Sequence, residues 1–197
     1  MYTIATPVRP VASREVDSRL GYLVFALAFF LGHGSIALSR GDDPALDLPT
    51  WLPYTLLAIG IVSGVTLNMI AGGRAQHGAS ESSRRSEKLV GTMWVTGFVA
   101  LFLAISGLTT TIDDPTLQDA LWPAGSVLVV GMINLAEGAV RRNTLHYGLG
   151  TWLTLLAAAA LFFTPTGIYA ALAIAGGTGY LVASLLERRR LANLPSS

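Results

Sequence analysis

No cysteine occurs in this chain of 197 residues, so it has no disulfide framework, no thiolate metal site and no redox dithiol. Charge is scarce as well: 13% of residues are charged against 52% hydrophobic, too little polar surface for a soluble globule of this size. A net charge of +1 provides no basic surface for nucleic acid. Catalytic patterns are missing too. There is no HExxH, no pair of intramembrane aspartates, no Ser-Lys or Ser-His arrangement and no Walker A sequence, and three scattered histidines make no metal site. The expectation is a protein that is not an enzyme and carries no cofactor. Arginine is nearly the only cation, which together with abundant Ala and Gly points to a high-GC bacterium.

What the chain does have is long apolar runs, at 20–38, 52–71, 89–108, 121–139, 146–163 and 167–186. Each matches a hydrocarbon core of roughly 30 Å at 1.5 Å per residue. The segments between them alternate in charge. Arg9, Arg14 and Arg19, then Arg74, Arg84, Arg85 and Lys88, then Arg141 and Arg142, and finally Arg188, Arg189 and Arg190 all fall on one side, and only Arg40 falls on the other. The opposite segments hold Asp42, Asp43, Asp47, Asp113, Asp114 and Asp119. This asymmetry predicts an all-α, polytopic bundle of six transmembrane helices in a bacterial inner membrane, with both termini cytoplasmic. The division is a cytoplasmic arm at 1–19, a membrane domain at 20–187 and a cytoplasmic tail at 188–197. The arm and first run, ending in Ala37-Leu38-Ser39, imitate a signal peptide. The run exceeds a usual h-region and opens a repeat, so it reads as a transmembrane helix. The Ser-rich stretch Ala79-Ser80-Glu81-Ser82-Ser83 reads as a flexible cytoplasmic loop.

The repeat is visible in the acidic segments. Asp42-Asp43-Pro44-Ala45-Leu46 returns as Asp113-Asp114-Pro115-Thr116-Leu117, and Trp51 returns as Trp122 at the same displacement. A shared loop at a fixed period implies duplicated hairpins, here three in parallel. The second helix of each hairpin carries small and polar residues on one face: Gly60, Gly64, Asn68 and Gly72; Ser126, Asn134 and Gly138; Gly176, Tyr180 and Ser184. These stripes have two readings. In one, Gly60, Gly64, Gly72, Gly138 and Gly176 let helices approach closely. In the other, Asn68, Asn134 and Tyr180 fall at one level and line a solute pathway, since amides are costly to expose to lipid. His33 reads either as a group that titrates and relays a proton or as an ordinary residue of the outer interface. Glu137 lies one turn before Arg141, as a local ion pair or, if it faces a vestibule, as a proton acceptor or cation gate.

A family resemblance adds to this reading. Ile59-Gly60-Ile61-Val62-Ser63-Gly64 leading to Ile70-Ala71-Gly72, Gly91-Thr92-Met93-Trp94, Asn143-Thr144 with Tyr147-Gly148 and Trp152-Leu153-Thr154-Leu155, and Gly179-Tyr180-Leu181-Val182-Ala183 with Glu187 resemble the acetate uptake transporters, small proton-coupled monocarboxylate permeases with the architecture of urea and amide channels. The resemblance implies a homo-oligomer with a pore through each protomer. Expected partners are the lipid bilayer, a small polar solute and further copies of the chain. The expected function is a channel or secondary transporter for that solute, acetate among the candidates. The alternative is a permease-like subunit working with a cytoplasmic ATPase partner, and a membrane-embedded enzyme is the least favoured class.

Overall fold

In hydrocarbon a chain must satisfy its own backbone hydrogen bonds, and a run of apolar residues does so most simply as a helix. The computed structural model describes residues 15–193 apart from Asp42, Gly78 and Asp113, and it is all-helical, with no strand among the described residues. Six rods follow one another: α1 (Arg19–Ser39), α2 (Trp51–Ala75), α3 (Glu81–Ile112), α4 (Pro115–Val140), α5 (Thr144–Ala160) and α6 (Pro165–Ala192). Five of them, all but α5, are long and apolar enough to cross a membrane, which marks a multi-pass membrane protein. The remaining rod, α5, has 17 residues and a length of about 26 Å. The arm at 1–14, Asp42 and Asp113 of the repeated loop, and the end of the tail at 194–197 lie outside the described residues.

One boundary differs from expectation in a way that matters for the site. The rod α3 starts at Glu81 instead of at residue 89, so most of the Ser-rich stretch is helical. Ser80 Oγ accepts the Ser83 N–H at 3.2 Å, and Glu81 in the first turn complements the positive end of the helix. Glu87 therefore stands on a helix and not in a loop.

The closest pair of rods is α4 and α5, whose backbones meet at glycines. A Cβ at Gly138 would lie 2.5 Å from Tyr147 N, and one at Gly150 would lie 2.5 Å from Leu135 N. The turn between these rods is as tight as the packing. Asn143 N–H donates to Gly138 O at 2.8 Å and Arg142 N–H to Ala139 O at 3.3 Å, closing α4 in a Schellman motif with Arg142 at φ 51° in the position usually held by glycine. Asn143 then caps α5 directly, its Oδ1 accepting the His146 N–H at 3.0 Å.

Four rods, α1, α4, α5 and α6, enclose the core around Tyr22, Leu149, Leu153, Ile168, Leu172 and Tyr180. The outer two behave differently. The rod α2 rests on α1 and α3 rests on α4, without extensive contact between α2 and α3. Both α1 and α6 are interrupted by a π segment, Ala28–His33 and Leu172–Gly176, and the two segments pack against each other.

At one end of the bundle Arg190 binds the fully buried Glu187 at 2.7 Å and Glu15 at 2.8 Å. Glu187 Oε1 accepts the Ser18 N–H at 3.5 Å, which ties the start of α1 to the end of α6. Arg141 lies at this same basic end. At the opposite end Arg40 meets Asp119 at 3.5 Å and covers the Tyr54 ring, with Cζ 5.1 Å from its centroid.

Candidate functional site

Because α2 and α3 stand apart, the space between them runs inward to α1, α4 and α6 as a cavity of about 610 Å³. That lies within the roughly 300–1,000 Å³ usual for small-molecule sites. Its walls are largely apolar, with Phe25, Val65, Met69, Val90, Val95 and Val130 among them, and Asn68, Asn134, Glu137, His146 and Tyr180 are among its polar lining. A recess of about 280 Å³ continues it toward the basic end, sharing Ser18, Gly72, Gln76, Glu87, Arg141 and His146.

The structure brings Asn68, Asn134, Tyr180 and Glu137 onto the wall of this one cavity. Asn134 and Tyr180 are buried at 5% and 2% exposure. Asn68 Oδ1 is buried with no hydrogen-bond partner among the described residues and presses on α1 at Gly21, where a Cβ would collide with it. His33 lies elsewhere, in the half of the bundle nearer Arg40. Its ring is 4.6 Å from that of Phe29 and 6.0 Å from that of Tyr169, and Nδ1 is buried with no partner among the described residues.

The glycines of the stripes divide as well. Gly60 faces Ala28, Gly64 faces the Phe25 ring, Gly138 faces the Tyr147 backbone and Gly176 faces Phe29. A Cβ at Gly72 would meet nothing within 4 Å, and Gly72 instead borders the cavity.

Glu137 is the hub of a hydrogen-bonded cluster. Its Oε1 accepts the Trp94 indole N–H at 2.8 Å, and its Oε2 accepts from Arg141 at 3.0 Å and lies 3.1 Å from His146 Nε2. Arg141 also makes a bidentate pair with Glu87, at 2.8 and 2.7 Å. Burial opposes the Arg141 charge, but the Glu87 and Glu137 carboxylates more than offset it and raise its pKa, so it stays a guanidinium.

On the far side of the imidazole, the Tyr22 hydroxyl lies 2.5 Å from His146 Nδ1. An ionised Glu137 only accepts, so His146 Nε2–H donates to it. In the neutral imidazole Nδ1 is then bare and accepts the Tyr22 O–H; this tautomer follows from the network. The result is a continuous path of exchangeable protons, Tyr22 to His146 to Glu137, along one side of the cavity.

Sequence reasoning missed Tyr22, Glu87, Trp94 and His146 as members of this site, and it took Arg141 only as the i+4 partner of Glu137. The one local signal was Asn143, an N-cap type directly after a basic pair, which marks a turn short enough to face the end of α4 with the start of α5. Among the described residues, no group of three or more His, Asp or Glu is placed to hold a metal ion. The chain matches no protein-family model, no curated protein and no solved structure.

Proposed function

We propose that this protein is a multi-pass membrane transporter of a small solute, with six spans in three hairpins and both termini on the cytoplasmic side, working as a homo-oligomer. The observation that carries the reading is that Asn68, Asn134, Tyr180 and Glu137 share the wall of one cavity. An amide or hydroxyl buried in the bilayer is retained where it meets a partner or a solute. The Arg-rich end, taken as cytoplasmic by charge asymmetry, is also the end to which the recess leads, so the cavity reads as open inward. Toward the opposite end Phe29, Leu153, Ile168 and Leu172 are all buried to 5% exposure or less, and this close packing favours a carrier that alternates between states over an open channel.

The fixed charge bears on the solute. The cavity is bordered by Glu87, Glu137 and Arg141, an excess of one carboxylate when His146 is neutral. That balance favours a neutral or cationic solute over acetate. The test is uptake into proteoliposomes of acetate, urea, glycerol and methylamine by the parent, Asn68→Leu and Asn134→Leu. Each substitution removes a side-chain amide at a packing cost of only about 1 kcal/mol. Loss of flux in well-folded variants supports the reading, whereas unchanged flux of a carried solute in both assigns these residues to packing.

A further inference from the structure

We propose that the cavity binds a protonated organic amine with an apolar body, admitted sideways between α2 and α3 from the hydrocarbon layer. This deepens the transport reading and rests on it for the role of the cavity.

Three observations converge on that ligand. The first is unused acceptor capacity: among the described residues, Oε1 of Glu137 accepts only the Trp94 N–H, one of the two acceptor positions it has, and the cavity's described lining carries one carboxylate more than it has guanidinium groups. An ammonium N–H is the donor that completes such an oxygen. The second is aromatic density. Tyr22, Phe25, Trp94 and Tyr180 all border the same cavity as that carboxylate, and ring faces attract cations best where water is excluded. The third is access. Within the chain only 6% of the most apolar window of α2 and 11% of that of α3 are buried, against 44% to 50% for α1, α4 and α6. The gap between these two rods is bordered by Gly72 and Gly91, where an added Cβ would meet nothing within 4 Å. An apolar body reaches the site without crossing the charged end, and a phosphate headgroup is disfavoured by the excess carboxylate.

The experiment uses the full chain in lipid nanodiscs and three probes with one body and different heads: 1-aminoadamantane, 1-adamantanol and 1-adamantanecarboxylate, titrated by calorimetry at neutral pH. The amine should bind at least tenfold more tightly than the other two. Glu137→Gln should remove that preference, bringing the amine's affinity down to about that of adamantanol, and Gly72→Leu and Gly91→Leu should weaken all three by narrowing the entrance.

Equal binding of the three heads, or preference for the carboxylate, overturns the proposal. So does an entrance variant that changes the mass of the assembly while leaving all three affinities intact, because a second copy then covers the gap. If Glu137→Gln fails to fold, the parent's head preference and the weakened binding of all three heads in Gly91→Leu decide the matter. Amine binding without amine uptake into proteoliposomes would sink the transport reading and leave this one standing. Acetate uptake with no head preference would do the reverse.

Discussion

His146 Nε2 stands 3.1 Å from Glu137 Oε2 across the turn between α4 and α5, two residues nine apart in the chain and on different helices. The contact exists because one residue, Asn143, ends the Schellman motif of α4 and caps α5, with no connecting loop to hold the two helix ends apart. Glu137 thereby joins α3, α4 and α5 through Trp94, Arg141 and His146.

Removing the charge at this hub should be far more costly than removing the neighbouring one. Glu137→Gln replaces an acceptor of three donors by an amide that must also donate, and the expected loss is about 2–4 kcal/mol. Glu87→Gln leaves Arg141 paired with Glu137 and should cost about 1 kcal/mol. Thermal unfolding in detergent, followed by circular dichroism, compares the two. Equal midpoints would show that Glu137 is not the hub.

The turn itself makes a second prediction. Arg142 sits at φ 51°, so Arg142→Gly should be neutral or stabilise by up to about 1 kcal/mol, whereas Arg142→Val should destabilise by about 1–2 kcal/mol. Asn143→Ala removes the cap of α5 and should cost about 1 kcal/mol. The ranking of the three unfolding midpoints is the check, and a Gly variant less stable than the Val variant would contradict the left-handed geometry.

Two glycines two residues apart on α5 should respond in opposite directions. At Gly148 a Cβ meets nothing within 4 Å, while at Gly150 it would sit 2.8 Å from Gly131 O on α4. Gly148→Ala should gain up to about 1 kcal/mol from helix propensity. Gly150→Ala must force two backbones apart, and about 1–3 kcal/mol or more is the expected cost. Similar behaviour of both variants would mean that α4 and α5 are not in backbone contact.

The absence of native cysteine allows a direct test of orientation. Asp43→Cys should react in intact cells with an impermeant maleimide, and Ser82→Cys should react only after lysis. Labelling of Ser82→Cys from outside would invert the proposed topology and turn the cavity outward.

Much of the fold was legible because apolar runs bounded by charge admit few structures in lipid. The rods α1, α2 and α5 begin and end within a few residues of the expected spans. Asn134 and Tyr180 could be picked out because a polar group inside an apolar run is conspicuous at any register. His146 was not, for a histidine at a span end beside Arg141 and Arg142 is an ordinary interfacial residue until the turn geometry is known. Glu87 was hidden by the Ser-rich stretch before it, whose composition reads as loop while Ser80 in fact caps a helix. The gap between α2 and α3 lay beyond sequence reasoning altogether, because the apolar faces that border it look the same as faces packed on another helix.

The paired π segments carry a consequence for how this chain can change over time. A π turn holds one more residue than the α turn it replaces, so in α1 the half bearing Tyr22 and the half bearing His33 are out of phase with a single 3.6-residue pattern. Deleting one residue within Ala28–His33 would let an ordinary α turn take the place of the π turn with both halves still aimed as they are, whereas rewinding the full-length segment as unbroken α-helix would swing one half about 100° relative to the other. The side chains that meet the cavity and those packed near Tyr169 could then no longer both face inward. Loss of one residue is therefore accommodated at this point while rewinding at full length is not, and the same holds for Leu172–Gly176 on the helix it packs against.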